Sequence, residues 1–148
     1  MSGATLNHTS ITCIILAGGR GTRMRSTTTH KVCFPIAGRP AILRSLDAFT
    51  AAGIKNFSIV VGAMAGQVVE TVGQDYPGAT FVFQPQQLGT GNATRIGVAP
   101  LEAIGYDGHI LVTMGDKLIE ADAVRELLRT FAEQQLDVVV GVLPCRKE

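Results

Sequence analysis

Ile11-Thr12-Cys13-Ile14-Ile15-Leu16-Ala17-Gly18-Gly19-Arg20-Gly21-Thr22-Arg23-Met24, with Lys31 seven residues further on, is the stretch that decides the fold. An unbroken apolar, β-branched run of this length reads as a buried strand. Three glycines at its carboxyl end let the backbone turn tightly and bring bare N–H groups against an anion. Arg20, Arg23 and Lys31 stand on and after the turn. A strand end, open amides and clustered positive charge together make a place to hold a polyphosphate.

The charge distribution points the same way. The chain is nearly neutral at +1, yet no Asp or Glu precedes Asp47. Its first 46 residues carry six basic side chains, Arg20, Arg23, Arg25, Lys31, Arg39 and Arg44, whereas the remainder carries seven basic and twelve acidic ones. Such an asymmetry predicts a local field for a small anion rather than a general coat for nucleic acid. Basic residues alone would read as a solvated face; their placement around a glycine loop favours the anion site.

A length of 148 residues is one domain's worth and buries a real core. With 46% hydrophobic and 17% charged residues, the composition is that of a globular chain. Cys13, Cys33 and Cys145 are odd in number and lack CxxC spacing, which argues against a disulfide framework or zinc site and fits a reducing cytoplasm. Cys13 and Cys33 read as small core residues. No segment approaches the ~18–20 apolar residues of a membrane span. The polar stretch 1–10 lacks the pattern of a signal peptide and is expected to be a flexible tail.

Further along, short β-branched runs alternate with helical patterns. Strands are predicted over Thr12–Ala17, Asn56–Val61, Thr80–Phe83, Ile110–Met114 and Asp137–Val142, and helices over Ala41–Ala52, Ala65–Gln74, Asn92–Ile104 and Ala121–Gln134. Pro100 is expected to end or kink the third helix. The alternation predicts βαβ units, a mostly parallel sheet and a Rossmann-like three-layer α/β/α sandwich with right-handed crossovers. In a doubly wound order 3-2-1-4 the carboxyl ends of the first and fourth strands are neighbours. Asp116, just past the fourth strand, would then stand beside the glycine loop. There it ligates a metal ion, opens a turn or caps the next helix. The loop Gln84-Pro85-Gln86-Gln87-Leu88-Gly89-Thr90-Gly91-Asn92 follows the third strand; it reads as a nucleotide contact or as a polar loop with a helix cap at Thr90 or Asn92.

Two familiar glycine motifs fail here: nothing between Gly18 and Lys31 supplies GxxxxGK[ST], and Gly19-Arg20-Gly21 lacks the third glycine of GxGxxG. The residues instead resemble the sugar-1-phosphate nucleotidyltransferases, the nucleoside-diphosphosugar pyrophosphorylases, most closely the N-acetylglucosamine-1-phosphate uridylyltransferase branch. The family's LAxGxGTRM, lysine, proline and GxP appear as Leu16–Met24, Lys31, Pro35 and Gly38-Arg39-Pro40; its QLGTG as Gln87–Gly91, after Gln84; its GD pair as Gly115-Asp116. The resemblance implies the reaction of an NTP and a sugar 1-phosphate to an NDP-sugar and pyrophosphate. It implies that Leu16, Ala17, Gly18, Gly19, Gly21, Thr22, Gln84, Gly89 and Thr90 hold the nucleotide. It implies that Arg23 and Lys31 act on the phosphates and that Asp116 binds Mg²⁺.

The chain departs from the pattern at His30, where the family usually has proline, and at Lys117, where an apolar residue is usual. It also ends at Glu148, short of the family's catalytic domains. Residues 11–148 are therefore expected to be the nucleotide-binding part, working with a missing C-terminal half or as a homo-oligomer. A non-catalytic nucleotide-binding homologue and a molybdopterin-guanine-dinucleotide-type transferase are the alternatives.

Overall fold

A computed structural model describes residues 11–19, 21 and 28–142. Four parallel strands form the main sheet: β1 (Ile11–Ala17), β4 (Asn56–Val61), β5 (Thr80–Phe83) and β6 (His109–Met114), in the order β5-β4-β1-β6. This is the expected 3-2-1-4 order. A two-stranded antiparallel piece, β2 (Pro35–Ile36) with β3 (Arg39–Pro40), leads into the first helix. The helices are α1 (Ala41–Ala51), α2 (Ala65–Asp75), α3 (Thr90–Ala103) and α4 (Ala121–Glu133).

β1 is the axis of the molecule. All seven of its residues are buried, because strands flank both edges and helices cover both faces. Alternate side chains leave by opposite faces. Ile11, Cys13 and Ile15 pack with Ile42, Leu46 and Phe49 of α1, Val68 and Val72 of α2, and Val124 and Leu128 of α4. Ile14 and Leu16 pack with Val60 and with Ala93 and Ile96 of α3. The result is a three-layer sandwich with three helices on one face and one on the other. Helix α3 comes closest at Gly97, where an added Cβ would stand 2.7 Å from Ile14 and 2.8 Å from Val60. Cys13 and Cys33 are buried free thiols, as expected, and burial pushes the Cys13 thiol strongly up.

Three expectations fail. Asp137–Val142 is not a strand: it pairs with no described strand, and it shares with β6 the lining of a cavity of about 660 Å³ formed by Ile110–Thr113, Leu127, Phe131 and Val138–Gly141. Of the end or kink expected at Pro100, the end does not occur: α3 runs on to Ala103. So near the carboxyl end, a proline removes one ladder bond from a helix already anchored by its earlier turns. The N-cap of α3 is Gly89, not Thr90 or Asn92.

Candidate active site

The site is built at the carboxyl ends of β1, β4, β5 and β6, and its floor is a crossing of backbones. After β1 the chain passes so close to the end of β4 that a Cβ on Gly62 would stand 2.6 Å from the Gly18 carbonyl oxygen. On its other side Gly18 meets the amide of Gln84, whose Oε1 would lie 2.7 Å from a Cβ there. Gln84 is itself buried: its backbone N–H donates to Val61 at 2.7 Å and its Nε2 to Asn92 Oδ1 at 2.9 Å. The three strand ends and the start of α3 are thereby tied together. Gly89 and Thr90 sit at the exposed amino end of α3, where no side chain caps the first turn. Open amides and the positive end of the helix dipole face outward there.

Lys31 reaches the site from a 3-10 turn, Lys31–Cys33. Its stem lies against the glycine loop. A Cβ on Gly21, whose φ is +61°, would meet the Lys31 Cβ at 3.0 Å, and one on Gly19 would meet Cε at 3.8 Å. The ammonium ends 2.9 Å from Asp116 Oδ2. The two residues are 85 positions apart in the chain and meet because β1 and β6 are adjacent.

Asp116 stands in the turn after β6. The Gly115 N–H donates to the Leu16 carbonyl at 3.0 Å, and the Ser45 hydroxyl of α1 donates to the Lys117 carbonyl at 2.8 Å. The N-cap of α4 is Glu120, so the helix-capping reading of Asp116 does not hold. Burial pushes the Asp116 carboxyl up, but the hydrogen bond and charge of Lys31 outweigh it, so Asp116 ionises below the usual carboxylate range.

Leu16, Ala17, Gly18, Gly19, Gly21, Lys31, Gln84 and Asp116 thus converge, with Gly89 and Thr90 at the mouth of the adjoining helix. Thr22 and Arg23 lie outside the described residues, as do Arg20 and Arg25. Two of the six early cations serve elsewhere. Arg39 pairs with Asp47 and, at 2.8 Å, with Asp75, and Tyr76 donates to Asp47 at 2.7 Å. Arg44 donates to the carbonyls of Ile36 and Ala37. Those two side chains tie β2, β3, α1 and α2 together, and the charge of Arg39 is offset by two carboxylates.

His30, in the sequence only a departure from a motif, has a defined place in the structure. Its ring is 1% exposed, with Nε2 2.9 Å from the Gly19 carbonyl and Nδ1 accepting from the Val32 N–H at 3.3 Å. Burial lowers its pKa, the Gly19 hydrogen bond opposes that, and the Lys31 charge lowers it further.

Among the described residues no three His, Cys, Asp or Glu side chains gather as a metal cage. One carboxylate in an open site suits a hard divalent cation that keeps its waters and arrives on a polyphosphate. Among the described residues no helix is long and apolar enough to cross a membrane.

A family model described as the MobA-like NTP transferase domain matches residues 13–146. The chain is 41% identical over 129 residues to the bifunctional protein GlmU of Rhizobium etli, an alignment covering 86% of this chain and 27% of that protein. Among solved structures, it superposes with a TM-score of 0.67 on a Bacillus anthracis protein assigned as a glucose-1-phosphate thymidylyltransferase, at 26% identity, covering 84% of this chain and 51% of the other. HddC from Yersinia pseudotuberculosis, solved with GMP-PN, gives 0.64 at 25% identity, covering 85% and 54%. The chain therefore spans about a quarter of the GlmU relative and about half of each structure.

Proposed function

This chain belongs to the MobA-like NTP transferase domain family, and from that premise we propose that it is the nucleotide-binding part of an enzyme that joins an NTP to a sugar 1-phosphate, forming an NDP-sugar and releasing pyrophosphate. The observation that carries this reading is the meeting of Lys31 and Asp116, 2.9 Å apart, beside a loop of glycines. A cation and a carboxylate held there can part and each take a partner from a metal-bound triphosphate, so that no charge is left unopposed.

In this reading the backbone from Leu16 to Gly21, with Thr22, holds the nucleotide. Gly89 and Thr90 offer the amides at the head of α3. Gln84 acts mainly by fixing Gly18, since its amide is already bonded to Asn92. Lys31 and Arg23 take the phosphates. Asp116 would hold Mg²⁺, which when bound offsets charge on the phosphate oxygens.

A sugar phosphate is already an anionic nucleophile, so the chain need supply no general base. Its task is to bring two anions into line and to stabilise charge on the α-phosphate and the departing pyrophosphate. Residues 16 to 116 carry every group assigned to the nucleotide, and none is assigned to the sugar. Strong NTP binding with poor turnover is therefore expected of these residues alone.

Calorimetry with the four NTPs and Mg²⁺, followed by pyrophosphate release with a panel of sugar 1-phosphates, tests this. Lys31→Ala should weaken NTP binding by ~1.5–3 kcal/mol, the scale of a charge-assisted hydrogen bond. Asp116→Asn should abolish the Mg²⁺ dependence. Unchanged affinity in both variants would reject the assignment. Turnover at ~1–10³ s⁻¹ would show that these residues suffice for the whole reaction.

A further inference from the structure

We propose that His30 is a positioning residue: its ring fastens the glycine loop to the turn that carries Lys31, and the affinity of the loop for a triphosphate depends on that fastening. This rests on the nucleotide reading above.

A carbonyl oxygen only accepts, so the 2.9 Å contact with Gly19 places the ring proton on Nε2. Nδ1 is then a bare lone pair, which is what the Val32 N–H requires at 3.3 Å. One neutral tautomer satisfies both neighbours. The backbone at the same residue is held from a third side: the His30 N–H donates to Gln67 Oε1 of α2, and Gln67 Nε2 donates to the Thr28 carbonyl at 3.3 Å. The ring thus stands between the β1 loop and the 3-10 turn, anchored on α2.

Capping the turn needs only Nδ1. The Nε2 contact goes to a loop eleven residues back and does nothing for the turn itself. Its effect is to fix the Gly19 carbonyl relative to Lys31, whose stem lies under the same glycines. A polyphosphate would be held jointly by loop amides and by the Lys31 ammonium, so a fixed relation between them spares the ligand the cost of ordering both.

Two near-isosteric substitutions separate the ring's two contacts. In His30→Asn the amide oxygen replaces Nδ1 and keeps the cap, but nothing reaches Gly19. In His30→Gln the amide nitrogen reaches the place of Nε2. Hydrogen exchange at the Gly19 and Gly21 amides, read on the nucleotide-free full chain, should speed up by about five- to tenfold in His30→Asn and stay near wild type in His30→Gln. Calorimetry with UTP and Mg²⁺ should show a similar loss of affinity for the Asn variant alone, with UMP affinity unaffected.

Unchanged exchange in His30→Asn overturns the fastening, whatever binds. Equal losses in both variants overturn it too, since they assign the effect to ring packing rather than to Nε2. If UTP is not bound, the same comparison is made with whichever of the four NTPs is; if none is bound, the functional reading fails and the affinity half of this proposal falls with it, while the exchange measurement still decides whether the fastening exists.

Discussion

β1 and the run Val138–Val142 are built from the same kind of residue and end in opposite conditions. Every residue of β1 is buried between two strands and two helical layers. Val138, Val140 and Val142 are 73%, 72% and 81% exposed, belong to no strand, and face β6 only across a cavity. A β-branched run is a bid for a partner, and the partner decides the outcome. The difference also explains where the site stands. Gly18 and Gly19, at the end of β1, rest on a closely packed frame of strand ends, whereas the far side of β6 offers no such frame. Helix α3 lies over β1, β4 and β5, which leaves Ile110 and Val112 of β6 about two-fifths exposed on that face.

The contrast breaks most easily at Ile15. Truncation to alanine removes core between β1 and three helices and should cost ~2–5 kcal/mol in denaturant unfolding. An equal cost for Val140→Ala would mean that the valine run is packed after all. Gly97→Ala tests the opposite face: the added methyl has nowhere to go against Ile14 and Val60, and an overpacking loss of ~1–3 kcal/mol is expected in the same assay. The Lys31–Asp116 pair is partly exposed, so Lys31→Met should change stability by less than ~1 kcal/mol even as it weakens nucleotide binding. A larger loss would mean that the pair holds the strand ends together rather than resting on them.

A pH series sharpens the comparison further. The folded chain holds His30 neutral, with a pKa below its unfolded value of about 6.5. The contribution is full above that value and is lost as pH falls through the folded value, because the unfolded chain then binds the extra proton. The unfolding midpoint of wild type should drop between pH 7 and 5, and less so in His30→Gln. An identical slope in the two proteins would remove His30 as the cause. The smallest effect belongs to Val140→Ala itself, within about 0.5 kcal/mol, as for an exposed side chain without partners.

Much of this was legible beforehand where signals were local or where one partner implied another. The apolar runs at β1, β4, β5 and β6 give strands to within a residue, and the doubly wound order considered for them is the one that sets Asp116 beside the glycine loop. The fifth run misled because its residue types are right for a strand while, among the described residues, it pairs with none, and no propensity records pairing. Arg39 and Arg44 misled because charge was counted without knowing that Asp47, Asp75 and two carbonyls would engage them. His30 was visible only as an irregularity. Its contact with Gly19 depends on a loop and a turn brought together from different elements, and on which ring nitrogen carries the proton.

The crossing at Gly18 and Gly62 has a consequence for how this chain can change over generations. A side chain at Gly62 runs into the backbone of Gly18, which no change of side chain moves aside, whereas one at Gly18 meets only the end of Gln84, which a shorter residue at that position would clear. The floor is therefore closed to drift at Gly62, and at Gly18 it can change only together with Gln84.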